Sequence, residues 1–215
     1  MSKKILFIDI YREEGFRLNK DVNGGYGTGN NFGGGFFTKA LARYQKDSIF
    51  WPPLYFVSTI ATLQYLGYDC QYTTNEVEAT SKFDLLILSS SIVACESESQ
   101  AIVNFQHLQI PILVVGPFAT NNPEKYIEAG ANVLIGEPDT LIFSQPEIIK
   151  NLTIESLKIS PEALPIDINL LPIPAWEVIF RHKIPVMGFF GSGPSVALSS
   201  SRGCPTRLSN PSGPS

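Results

Sequence analysis

The run Lys4-Ile5-Leu6-Phe7-Ile8-Asp9-Ile10 is apolar on both alternating faces, and a strand can carry that pattern only when it is covered on two sides. Phe83 to Ser89 reads as another strand buried in this way. Ile112 to Val115 reads as a further strand, stopped by Gly116-Pro117, because proline cannot donate to a ladder. Tyr68 to Tyr72 and Asn132 to Ile135 complete a set of five expected strands. Between them lie segments of helical period: Pro53 to Leu66, closed by Gly67; Glu96 to Leu108, with Ala101, Ile102, Phe105 and Leu108 on one side; and Pro123 to Ala129, with proline at its start and Gly130 at its end.

Strand and helix alternating over connections too long for hairpins imply right-handed crossovers and a doubly wound parallel sheet of the α/β class. In such a sheet ligands bind beyond the carboxyl ends of the strands, where strand order reverses. The patterning weakens from Ser144 to Ile168, and Leu170-Leu171-Pro172-Ile173-Pro174-Ala175-Trp176 reads as a proline-rich connector. The expected organisation is a doubly wound domain over residues 1–145, a linker and connector over 146–194, and the start of a further domain over 195–215.

Composition narrows the function. Sixteen Lys and Arg against 20 Asp and Glu give a net charge of -4 with no basic block, so nucleic acid is not an expected partner. No segment approaches the roughly 20 apolar residues of a membrane span, and Asp9 interrupts the first apolar run before any cleavage site of a signal peptide. Cys70, Cys95 and Cys204 are odd in number and widely spaced, which argues against a disulfide framework and for a reducing cytoplasm.

The strand ends hold the candidate site. Ser89-Ser90-Ser91 offers three hydroxyls to a polar ligand tail, although serines at a helix start also serve as ordinary caps. In Gly116-Pro117-Phe118-Ala119-Thr120, Gly116 leaves room for a ligand to approach the backbone and Thr120 adds a hydroxyl. A bulky residue at Gly116 is therefore expected to block the ligand and leave the fold largely intact. Gly136-Glu137 closes the fifth strand similarly. The glycine-rich stretch from Asn23 to Gly35 lacks a following Gly-Lys-Ser/Thr and is too long for a dinucleotide turn. It reads as a mobile loop, with a lid over a ligand as the alternative, because Tyr26, Phe32, Phe36 and Phe37 supply stacking surface. His107 and His182 have no second ligand at metal-binding spacing.

Taken in order, Trp51-Pro52-Pro53-Leu54, Phe83 to Ser91, Val115 to Thr120 with Pro123-Glu124, Ile135-Gly136-Glu137, Leu171 to Trp176 and Ser201-Arg202-Gly203-Cys204-Pro205 resemble the amino-terminal half of a cobalamin-binding radical S-adenosylmethionine enzyme. The resemblance implies a Rossmann- or flavodoxin-like five-stranded domain whose post-strand loops surround the cobalamin nucleotide tail and the lower face of the corrin. It implies cofactor contacts at Ser89, Ser90, Ser91, Gly116, Pro117, Phe118, Ala119, Thr120, Gly136 and Glu137. A barrel follows in that family, and its first loop binds a 4Fe-4S cluster through three cysteines; the cluster cleaves S-adenosylmethionine, and the cobalamin commonly serves methyl transfer.

Three departures qualify what the resemblance implies. Asp9-Ile10-Tyr11-Arg12-Glu13-Glu14 lacks the histidine of an Asp-x-His-x-x-Gly motif, so cobalamin is expected without a histidine ligand. Phe118 stands where relatives often carry histidine. With Cys204 as first cluster ligand, family spacing places the other two at Leu208 and Pro211, which cannot bind iron. The expected function is the cobalamin-binding portion of a radical enzyme of methyltransferase-like class, with an incomplete barrel and no independent radical catalysis, as truncation or a shifted reading frame would produce. A free-standing doubly wound module that binds another ligand or a protein partner, and a non-functional gene fragment, remain as alternatives.

Overall fold

The computed structural model describes residues 2–10, 35–40, 50, 52–155, 158–159, 167–184 and 194–199. All five expected strands form: β1 (Lys4–Ile8), β2 (Asp69–Thr73), β3 (Leu85–Ser89), β4 (Ile112–Val115) and β5 (Asn132–Leu134). A sixth, two-residue strand, β6 (Lys158–Ile159), extends the edge beyond β5. Every pairing is parallel and the order is β2-β1-β3-β4-β5-β6. The fold is thus the expected doubly wound α/β sheet, with strand order reversing between β1 and β3.

The two-sided apolar pattern has a direct structural counterpart. Ile5, Phe7, Leu85, Ile87, Leu113, Val115 and Leu134 project to one face, whereas Leu6, Ile8, Leu86, Leu88, Ile112, Val114 and Val133 project to the other. The first face is covered by α1 (Leu54–Tyr65), and the second by α2 (Cys95–Phe105) and by residues of α4 (Pro123–Glu128). Between β4 and α4 the short helix α3 (Pro117–Asn121) forms where the sequence reads as a loop, because Pro117 fixes the first helical residue. Helix α1 begins at Leu54 after Pro53 and ends at Tyr65, and Gly67 just beyond it takes a φ of +89° that is open to glycine at little cost.

The core does not stop at residue 145. Helices α5 (Pro138–Ser144), α6 (Glu147–Lys150) and α7 (Trp176–His182) bring Ile142, Ile149, Trp176, Val178 and Ile179 into the same cluster as Phe7 and Phe56. The connector backbone is tied in as well, since Ala175 N donates to the Val57 carbonyl at 3.4 Å. His182 adds a polar contact on that face, its Nε2 lying 3.1 Å from Thr74 Oγ1. The glycine-rich stretch up to residue 34, the residues from 200 onward and Cys204 lie outside the described residues. No helix among the described residues is long and apolar enough to cross a membrane.

Two buried acids link this packing to pH. Burial pushes the Cys70 thiol up, and burial together with the neighbouring Glu98 carboxylate pushes the Tyr126 phenol up. The folded chain therefore keeps both protons where the unfolded chain begins to release them. Stability from this source is fully present below about pH 8 and falls as pH rises, by up to about 1.4 kcal/mol per pH unit for each proton. Melting curves between about pH 8 and 11 are expected to show the decline, and Cys70→Ala and Tyr126→Phe are each expected to make it shallower.

Candidate functional site

Asp9 and Ser89 meet at the point where strand order reverses. Ser89 Oγ donates to Asp9 Oδ1 at 2.6 Å and Tyr72 Oη donates to Asp9 Oδ2 at 3.2 Å, all fully buried or nearly so. These side chains fill the space between the ends of β1 and β3. Among the described residues, an open space lies further along the sheet, at the carboxyl ends of β4 and β5.

There a cavity of about 410 Å³ opens between the first turns of α1, α3 and α5. Leu54, Tyr55 and Ser58 form the α1 wall; Gly116, Pro117, Thr120 and Asn121 form the β4 side; Gly136 to Asp139 form the β5 side, and Ser199 closes one edge. Its size is that of a small-molecule site. Gly116-Pro117 after β4 and Gly136-Glu137-Pro138 after β5 are parallel solutions to one problem: a strand must end, turn and start a helix beside a gap.

Of the ten residues expected around a cofactor, five line this cavity: Gly116, Pro117, Thr120, Gly136 and Glu137. The other five do not line it. Ser89 is engaged with Asp9. Ser90 Oγ accepts from Ala119 N at 3.0 Å, and the Ser90 carbonyl accepts from Tyr55 Oη at 3.2 Å. Ser91 Oγ donates to Glu98 Oε1 at 2.9 Å and accepts from Ala94 N at 3.1 Å, so its hydroxyl works as a local cap for the turn into α2. Ala119 is fully buried, and the Phe118 ring packs edge-on against Tyr126 with centroids 6.2 Å apart.

Thr120 has a role different from the one its hydroxyl suggests. Its Oγ1 donates to the Gly116 carbonyl and accepts from Gly136 N, both at 3.0 Å. It clamps the end of β4 to the end of β5 and so sets the width of the cavity. Gly116 likewise differs from expectation. Its φ is +118°, and a Cβ there would fall 2.6 Å from Tyr55 Oη and 2.9 Å from Ser90 Oγ. The glycine is required by the backbone and by these neighbours, so a bulky residue would disturb the fold as well as the cavity.

Tyr55, Ser58, Asn121, Asp139 and Ser199 line the cavity without having been singled out in the sequence. Ser58 carried a usable signal: it is a small polar residue in a helix whose interior positions from Phe56 to Leu63 are all buried. Asp139 carried another, since it directly follows the proline that opens α5.

Among the described residues no group of three His, Cys, Asp or Glu side chains is placed to hold a metal. Cys70 belongs to the core on one face of the sheet and Cys95 packs against the core on the other. The sheet itself separates them, so these two thiols cannot join one iron-sulfur cluster within a chain, and a site-differentiated 4Fe-4S cluster needs three. The described residues do not fit that cluster. No protein-family model, curated protein or solved structure gives a significant match to this chain.

Proposed function

We propose that the chain is a small-molecule-binding module of the doubly wound class, and that it is the cobalamin-binding portion of a radical S-adenosylmethionine type of enzyme, without a cluster of its own. The observation that carries the reading is the cavity at the ends of β4 and β5, bounded by Gly116, Pro117, Thr120, Gly136 and Glu137. These are post-strand residues at which the sequence resemblance implies contacts to the cofactor. The fit is in shape and chemistry: Leu54, Pro117, Pro138 and the Tyr55 ring offer apolar walls to a flat ring, and the volume admits a tail but not a macrocycle.

In this reading Thr120 ties the two strand ends together, and Tyr55, whose hydroxyl donates to the Ser90 carbonyl, forms a wall of the cavity. Bound cobalamin would supply a cobalt centre for methyl transfer. The test is electron paramagnetic resonance of the chain loaded with cob(II)alamin. A spectrum free of axial nitrogen coupling is expected; coupling to a histidine nitrogen would overturn the ligand assignment, and absence of any protein-bound species would overturn the cofactor.

A further inference from the structure

We propose that a second cavity, of about 220 Å³ between the first turn of α1 and the connector, binds a neutral aliphatic molecule of about six to eight carbons with one polar end. This does not rest on the larger cavity taking cobalamin, because most of the walls are different. Leu54, Ser58 and Ser199 border both cavities, whereas the rest of the smaller lining is apolar: Ile168, Leu171, Pro172, Ile173, Pro174 and Leu198. No Asp, Glu, Lys, Arg or His lines it among the described residues. An ion placed there would lose water and gain no charged partner, so the occupant is neutral.

The connector builds a wall with little to offer a polar group. Pro172 and Pro174 have no N–H, and nearby N–H groups are spent within the connector: Asn169 N donates to Asp167 Oδ1 at 2.9 Å and Leu171 N to the Ile168 carbonyl at 3.2 Å. The hydrogen bond from Ala175 N to the Val57 carbonyl ties this wall to α1. Ile173 and Leu198 line the cavity and yet are 88% and 84% exposed, which puts them at its rim. A chain lying between them removes their apolar surface from water, and that is the driving force for binding.

Two hydroxyls receive the polar end. Ser58 and Ser199 are the polar side chains of the lining, and both stand where the two cavities adjoin. Ser58 is 5% exposed, and its hydroxyl makes no hydrogen bond to any described residue. The polar end therefore meets the serines and the chain runs toward the connector. Length follows from volume: a cavity of roughly 150 Å³ holds one benzene ring, so this one takes a chain of about six to eight carbons.

The test is calorimetric titration of the full chain with straight-chain primary alcohols from butan-1-ol to decan-1-ol. Affinity is expected to rise about fourfold per added methylene and to level off at about six to eight carbons, where the cavity is full. Hexanoate and hexylammonium are each expected to bind about tenfold or more weakly than hexan-1-ol. Ile168→Trp places a large ring at an exposed wall position and is expected to weaken octan-1-ol binding about tenfold or more at an unchanged melting temperature; Leu198→Trp, also at an exposed position, takes its place if the first variant melts lower. Ser58→Ala is expected to weaken every alcohol by the same factor of about five to ten, with the gain per methylene unchanged. The proposal is overturned by a gain that continues through decan-1-ol without levelling, by tighter binding of either ion, by wild-type affinity in the tryptophan variant or in Ser58→Ala, or by no saturable binding of any alcohol.

Discussion

Glu98→Ala is expected to destabilise the protein by about 3–5 kcal/mol, because three buried donors lose their acceptor together. The Glu98 carboxylate is fully buried and accepts from Ser91 N at 3.1 Å, Ser91 Oγ at 2.9 Å and Tyr126 Oη at 2.5 Å. The effect reaches beyond these contacts. Ser91 Oγ also accepts from Ala94 N, so the carboxylate indirectly holds the turn that carries the chain from β3 into α2. Chemical denaturation of Glu98→Ala and Glu98→Gln checks this, with glutamine keeping part of the stability because it retains one acceptor oxygen. A loss below about 1 kcal/mol for alanine would mean that solvent reaches the donors in place of the carboxylate.

The second large effect is at Gly116. Gly116→Ala is expected to cost about 1–3 kcal/mol for a side chain held at positive φ and about as much again for overpacking against Tyr55 and Ser90. Tyr55→Leu in the same chain is expected to return part of the packing cost and none of the backbone cost. Denaturation curves of the single and double variants separate the two terms. If Gly116→Ala were as stable as the wild type, the close approach of Tyr55 and Ser90 would not be a fixed feature of the fold.

The fold was legible because its strands are buried on both faces. Ile5 to Ile8 and Ile112 to Val115 have no polar alternation to confuse them with surface strands, and proline or glycine marks the start of β4's exit and the end of α1. Less legible was the stretch after Phe143, where α6 is only four residues long and β6 only two. Elements this short have no period to detect, and they are held by packing such as that of Ile149 and Leu152. Helix α7 was concealed in a similar way, since the prolines up to Pro174 suggest a connector while Trp176, Val178 and Ile179 bury a helical face.

The site was legible by half, and for a physical reason. A strand end followed by Gly-Pro or Gly-Glu-Pro signals a turn beside open space whatever fills it, so Gly116, Pro117, Gly136 and Glu137 could be placed from local chemistry. Serine hydroxyls carry no such direction. Ser89, Ser90 and Ser91 look alike in sequence, yet their partners are Asp9, Ala119 and Glu98, far apart along the chain. Ser58 is legible as a buried polar position of α1, but which space its helix borders depends on the packing of that helix and not on its own sequence.

The central claim is that the cavity at the ends of β4 and β5 receives the tail of cobalamin. Asn121 is exposed on its rim, so Asn121→Trp is expected to narrow the entrance without unfolding the protein. The most direct measurement is a titration of the wild type and of Asn121→Trp with cobalamin, followed by the visible spectrum, alongside thermal melts of both proteins. Saturable binding by the wild type, weakened about tenfold or more in Asn121→Trp at unchanged melting temperature, is the predicted result. Cobalamin binding of equal strength in both proteins, or none in the wild type at high concentration, would contradict it.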